Sequence, residues 1–161
     1  MPGMPSVRSD HLIRLASYWL PVIGWITFIF LLSNTTSSTL EDIREGLPYQ
    51  ILRALSTQET VHTVEFAVLA ALTYRLLFSH DVRRIRYLVG VSLLGAVAYG
   101  ISDEFHQGFV AGRDSSLYDV GLDALGACVG TGVTAAAYYF FSSRWPQRPA
   151  THKESQRTSE L

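Results

Sequence analysis

The sequence has a single lysine, Lys153, against twelve arginines, and a single cysteine, Cys128. One cysteine excludes an intrachain disulfide framework and any zinc site built from several thiolates. Charge of either sign is scarce. Asp, Glu, Lys and Arg make up 17% of the residues, where a soluble domain carries about 25%. The formal net charge of −1 excludes a strongly basic nucleic-acid binder and a polyanionic tail, so no nucleic-acid partner is expected. No glycine-rich phosphate loop is present, and neither Ser102 nor Ser115 stands in a nucleophile motif. At 161 residues the chain has the length of one domain.

What is abundant is uninterrupted apolar sequence. From Leu15 to Ser33 no residue is charged. Those nineteen residues would run about 28 Å as a helix, close to the roughly 30 Å hydrocarbon core of a bilayer. A second span, Val61 to Phe78, is apolar except for His62, Glu65 and Arg75; a third, Tyr87 to Ser102, has no charge; a fourth, Val120 to Phe141, has only Asp123. Their middles lack the polar stripe of a soluble amphipathic helix. The spacing predicts an all-α fold, a bundle of four transmembrane helices over residues 15–141. A short segment, 1–14, precedes it. A polar tail, 142–161, with Pro146 and Pro149, is expected to be disordered. The first span is longer than the apolar core of a signal peptide and no Ala-x-Ala site follows it, so it reads as an uncleaved helix. Ala96 with Gly100, and Gly126 with Gly130, give small-xxx-small faces suited to close helix contact, with Cys128 read as a small packing residue among them.

The few charges are unevenly shared between the two ends of these helices. With the N-terminus in the cytoplasm, the inner side holds ten of the thirteen basic residues and four of the fourteen acids. The outer side holds Arg44, Arg53 and Arg113 with the other ten acids. This is a positive-inside pattern that predicts both termini in the cytoplasm. Tyr18, Trp19, Tyr87, Tyr138, Tyr139 and Trp145 fall near the inner boundary, as interfacial aromatics do. Arg75 is a turn from that boundary and can snorkel to it. In the first outer segment, Ser38 and Glu41 have capping-box spacing, and Leu40, Ile43 and Leu47 recur at helical spacing. A short helix on the membrane face and a solvated loop both fit that segment.

Ionisable side chains inside membrane spans are costly and mark functional sites. Here they gather at one depth, the outer ends of the second, third and fourth spans. His62 and Glu65 are three apart and share a helix face. Asp103, Glu104, His106 and Gln107 end the third span. Asp119 and Asp123, four apart, begin the fourth. Arg113 lies in the intervening loop, Gly108 to Leu117, which is short enough to fold back over the helix ends. The candidate catalytic residues are His62, Glu65, Asp103, Glu104, Gln107, Asp119 and Asp123. Arg113 and His106 are candidates for substrate binding, since a guanidinium holds phosphate or carboxylate bidentately. His with carboxylates also suits a divalent metal, with His62, Glu65 and Asp103 as candidate ligands, or a division of acid and base roles. Simpler roles exist for some of them. Asp103 and Arg113 would make a structural ion pair that pins the loop, and Asp119 would cap the fourth helix. Asp123 lies one turn too deep to cap.

The run Ser102-Asp103-Glu104-Phe105-His106-Gln107-Gly108-Phe109-Val110-Ala111-Gly112-Arg113, followed by Asp119-Val120, Asp123 and Gly126, resembles the VanZ-like family of small bacterial membrane proteins. Its signature reads roughly Asp-Glu-x-x-Gln, then Phe-x-x-Gly-Arg, then Asp before a glycine-rich helix. The stretch His62-Thr63-Val64-Glu65-Phe66-Ala67-Val68-Leu69 resembles the family's His-containing second helix. Ala111 stands where the family commonly has Pro, and Asp123 where many members have Asn. The resemblance covers residues from about 15 to 141. It implies a multi-pass plasma-membrane protein at the cell envelope. The family takes its name from a member associated with resistance to the glycopeptide antibiotic teicoplanin.

Three functions then compete. An envelope enzyme would act on a lipid-linked or membrane-proximal substrate, with membrane lipids as its surroundings. A binding or shielding module would hold a lipid head group or a glycopeptide without turnover. A structural protein would use the acid cluster only to lock helix ends. The enzyme predicts a concave, outward-facing pocket in which His62, Glu65, Asp103 and Arg113 approach one another, and the first two functions both fail if His62 or Glu65 points at lipid.

Overall fold

The computed structural model describes residues 7–46, 57–80, 82 and 84–144. Five helices follow one another: α1 (Val7–Ser33), α2 (Ser37–Glu45), α3 (Gln58–Ser79), α4 (Ile85–Gln107) and α5 (Leu117–Arg144). No strand occurs among the described residues. Four stretches are long and apolar enough to cross a membrane: Leu15–Ser33 within α1, all of α3 and α4, and Leu117–Phe141 within α5.

The helices begin and end where local chemistry dictates. Thr57 caps α3, its hydroxyl accepting from the Thr60 amide at 3.3 Å, with Glu59 in the first turn. Gly108 ends α4. Ser116, rather than Asp119, caps α5: its hydroxyl accepts from the Tyr118 amide at 3.1 Å. The short helix expected after the first span is present as α2. Its cap differs from the expected one, because Ser38 lies inside the helix and the Thr36 hydroxyl contacts those of Ser38 and Thr39. Leu47 and Pro48, and the tail beyond Arg144 with Trp145, fall outside the described residues. At the other end, helical backbone already begins at Val7, within the segment expected to precede the bundle.

The bundle inverts the pattern of a soluble domain. Among the described residues, as many polar side chains are buried as apolar ones. Large apolar residues such as Leu20, Phe28, Leu94, Leu125 and Val133 point outward. That arrangement suits a lipid surround, where outward hydrophobic faces cost nothing and polar groups must find partners inside.

The most extensive helix contact is α3 against α5. A Cβ placed on Gly126 would stand 2.1 Å from the Thr63 carbonyl oxygen, and one on Gly130 would stand 2.0 Å from that of Ala67. The missing side chains therefore let the two backbones touch, as the small-xxx-small spacing predicts. Cys128 does not share this packing. It is exposed, because it lies between the two glycines and so points away from the face they share. The small apolar core of Ile29, Phe66, Leu69, Ala70, Ala96 and Ala127 fills the middle. Trp25 and Tyr99 donate to the Glu65 and Ile26 carbonyls at 2.9 and 3.0 Å, tying α1 to α3 and α4.

One end of the bundle gathers aromatic side chains. The Arg75 guanidinium sits 5.0 Å from the Tyr18 ring centre, Trp19 meets His80 edge-on, and Tyr138 packs on Tyr74 and Phe78. The opposite end, where α1 and α4 finish and α3 and α5 start, holds the polar residues.

Candidate functional site

Continued helical geometry at that polar end does the first part of the assembly. The α4 backbone runs through Asp103 and Glu104 to Gln107, so Asp103 and Gln107 stack one turn apart and Gln107 Nε2 donates to Asp103 Oδ2 at 2.8 Å. Asp103 Oδ1 accepts from the Ser33 hydroxyl of α1 at 2.6 Å. The predicted Asp103–Arg113 pairing is replaced by this contact. Arg113 instead donates from Nη2 at 3.3 Å to the Leu32 carbonyl near the end of α1, which also accepts from the Thr35 amide at 2.9 Å and has a second lone pair to offer.

His62 meets two acids from two other helices. Its Nδ1 lies 2.9 Å from Asp123 Oδ1 on α5 and 3.9 Å from Glu104 Oε1 on α4. Glu104 Oε2 accepts from the Ser116 amide at 2.9 Å, which folds the loop back over the end of α4. Asp119 is held by Gln58, whose Nε2 donates to Oδ2 at 3.1 Å. His62, Glu65, Asp103, Glu104, Gln107, Asp119 and Asp123 are all buried.

A cavity of about 300 Å³ opens beside them. Its polar wall includes His62, Glu65, Gln107 and Arg113. Its apolar wall is Leu32 from α1, Leu40 and Ile43 from α2, and Val61 from α3. Two polar atoms on this wall, Glu65 Oε1 and Arg113 Nε, are buried without a hydrogen-bond partner.

The predicted residues therefore separate. His62, Glu65, Gln107 and Arg113 face the cavity. Asp103 stands behind Gln107, and Glu104 and Asp123 stand behind His62. Asp119 is engaged with Gln58. His106 is not brought to the site: it hydrogen-bonds Asn34 at 3.1 Å and stacks on Phe30. Of the expected metal ligands, His62 alone joins a trio spaced to hold an ion among the described residues, and its companions are Glu104 and Asp123 rather than Glu65 and Asp103. Ser33, Gln58 and the apolar wall from α2 were not among the candidates. Ser33 carries one weak signal, a hydroxyl at the last position of the first span, level with the acids.

A family model described as VanZ/LLP1 matches residues 18–141. The chain belongs to this family, and its four apolar helices are long enough to cross a membrane. No curated protein and no solved structure matches it.

Proposed function

We propose that the polar end of the bundle binds the anionic head of a lipid-linked cell-envelope ligand and is equipped for acid–base chemistry on it. In this reading the protein lies in the plasma membrane with both termini in the cytoplasm, and the site faces outward. The supporting observation is the pair of orphaned polar atoms, Glu65 Oε1 and Arg113 Nε, on the wall of one cavity. A buried polar group without a partner costs about 1–3 kcal/mol, and a ligand carrying both an acceptor and a donor relieves both. Arg113 supplies the clamp for phosphate or carboxylate. Glu65 and His62 supply groups that exchange protons.

The walls argue for an amphipathic occupant, since an aliphatic side faces a charged one. About 300 Å³ is the low end of small-molecule sites. It admits a phosphate with a sugar or glycerol fragment. A whole glycopeptide antibiotic is several times too large. The alternative, in which the acids only lock helix ends, is favoured by the bonds of Asp103, Glu104 Oε2 and Asp119 to Ser33, Ser116 and Gln58. It leaves Glu65 Oε1 and Arg113 Nε without partners.

Native mass spectrometry of the detergent-purified protein with a polyprenyl phosphate and with phosphatidylglycerol tests the reading. The wild type is expected to retain an anionic lipid, and Arg113→Ala to bind it at least about tenfold more weakly, the 1.4 kcal/mol of one lost charge-assisted bond. Undiminished binding by Arg113→Ala would sink the proposal. Glu65→Gln separates chemistry from binding: preserved affinity with loss of any turnover supports acid–base action, and equal loss of both leaves a binding module.

A further inference from the structure

Three metal-ligating side chains from three different helices converge beside the cavity. One donor atom each from His62 of α3, Glu104 of α4 and Asp123 of α5 lies within 4.8 Å of the other two. The residues are 4%, 2% and 0% exposed, so none is a surface acid. Glu104 Oε1 and Asp123 Oδ2 have no hydrogen-bond partner, and the first of these is the oxygen 3.9 Å from His62 Nδ1. A buried carboxylate oxygen with nothing donating to it is among the most expensive arrangements a fold can hold.

Charge balance points the same way. Glu65, Asp103, Glu104, Asp119 and Asp123 are five buried carboxyls at one end of the bundle. Facing them are His62 and Arg113. Even if both are cationic, the acids outnumber them when ionised, and in a low-dielectric surround such an excess must be removed by protonation or by a bound cation. A doubly charged cation between Glu104 and Asp123 would neutralise both.

We propose that His62, Glu104 and Asp123 together hold a divalent cation of the Zn²⁺ or Mn²⁺ type. One imidazole nitrogen and two carboxylates suit these borderline ions, whereas Ca²⁺ and Mg²⁺ favour oxygen alone. Metal–ligand bonds of about 2.0–2.2 Å require the three atoms to close in, and no hydrogen bond restrains the free oxygens of Glu104 and Asp123. The surroundings are those of a supported site. The Ser116 amide orients Glu104 through its other oxygen. Gly100 leaves room for Asp123, since a Cβ there would stand 2.7 Å from Oδ2. Three protein ligands is the number found where a further position is kept for water or substrate, and His62 also lines the cavity. The inference deepens the ligand-site reading only in what the cation would serve; its binding is independent of any lipid.

The test uses the full chain, purified in detergent, stripped by chelator and dialysed against Zn²⁺ or Mn²⁺ alone. Elemental analysis is expected to find about one ion per chain, with affinity lowered at least about tenfold by His62→Ala and by Glu104→Gln. Asp114→Asn, on the exposed loop, keeps the ion. X-ray absorption at the metal edge of the wild type, which needs no variant to fold, is expected to show one imidazole nitrogen. Absence of saturable binding in the wild type, an all-oxygen shell, or full affinity in His62→Ala would each overturn the site. Arg113→Ala distinguishes the two proposals, because it should lose the lipid and keep the metal.

Discussion

His62 Nδ1 and Asp123 Oδ1 stand 2.9 Å apart and join α3 to α5 through two buried side chains. A buried pair of this kind is costly to break and cheap to replace. Removing one partner leaves the other desolvated and unpaired, at about 3–5 kcal/mol. Replacing both with apolar residues removes the desolvation cost as well.

His62→Leu is therefore expected to lower stability in detergent by about 3–5 kcal/mol. The double variant His62→Leu with Asp123→Leu should recover most of that loss. Thermal unfolding of the single and double variants measures it. A double variant as unstable as the sum of the two singles would show that the contact carries no coupling.

The glycines beneath that contact make a steric prediction. Gly130→Ala would place a methyl group 2.0 Å from a backbone oxygen of Ala67, which a side-chain rotation cannot relieve. The helices must separate, at about 1–3 kcal/mol. Gly132→Ala, with nothing within 4 Å of the added carbon, is the matched control. Equal unfolding temperatures for the two variants would contradict the close approach of α3 and α5.

The membrane helices were legible because their middles are apolar on every side, a pattern that needs no tertiary information. Their ends were less so. The charge-free part of the third span stops at Ser102, and the helix runs on through the polar residues read as its end, to Gln107, where Asp103 finds partners in Gln107 and Ser33. Spacing put His62 with Glu65, and Asp119 with Asp123, on shared faces. It could not fix how each helix is rotated against its neighbours. That rotation turns Glu104 and Asp123 toward His62, gives Asp103 to Ser33, and sends His106 to Asn34. Arg113 was read by charge and therefore matched to an acid. The competing acceptor, a backbone carbonyl near the end of α1, is invisible to a residue-type argument.

Orientation in the membrane follows from the uneven distribution of Lys and Arg. By position in the sequence, ten of the thirteen fall in the segments that flank the bundle end opposite the acids, so that end is expected to be cytoplasmic. A phosphatase fused after Leu161 is expected to be inactive, and a fluorescent protein at the same place to fluoresce. The reverse result would put the acid cluster on the cytoplasmic side and remove an outer-envelope ligand from consideration.

Gly100 offers the sharpest separation between a structural and a functional role for Asp123. A methyl group there would lie 2.7 Å from Asp123 Oδ2, 3.1 Å from its Cβ and 3.2 Å from its Cγ, so its three nearest neighbours all belong to that side chain. The carboxylate must turn, which disturbs its 2.9 Å contact with His62 without removing either group. Gly100→Ala replaces glycine by a better helix former within α4, offsetting part of the strain by about 1 kcal/mol. Helix content by circular dichroism should therefore stay near wild type and the unfolding temperature should fall little. Metal affinity, which depends on where the carboxylate points, should fall at least about tenfold, as for loss of an orienting contact around a metal. Gly95→Ala, on the same helix with open space around it, should change neither. Unfolding of Gly100→Ala in step with any loss of metal would mean that Asp123 serves only to hold α5 against α3 and α4.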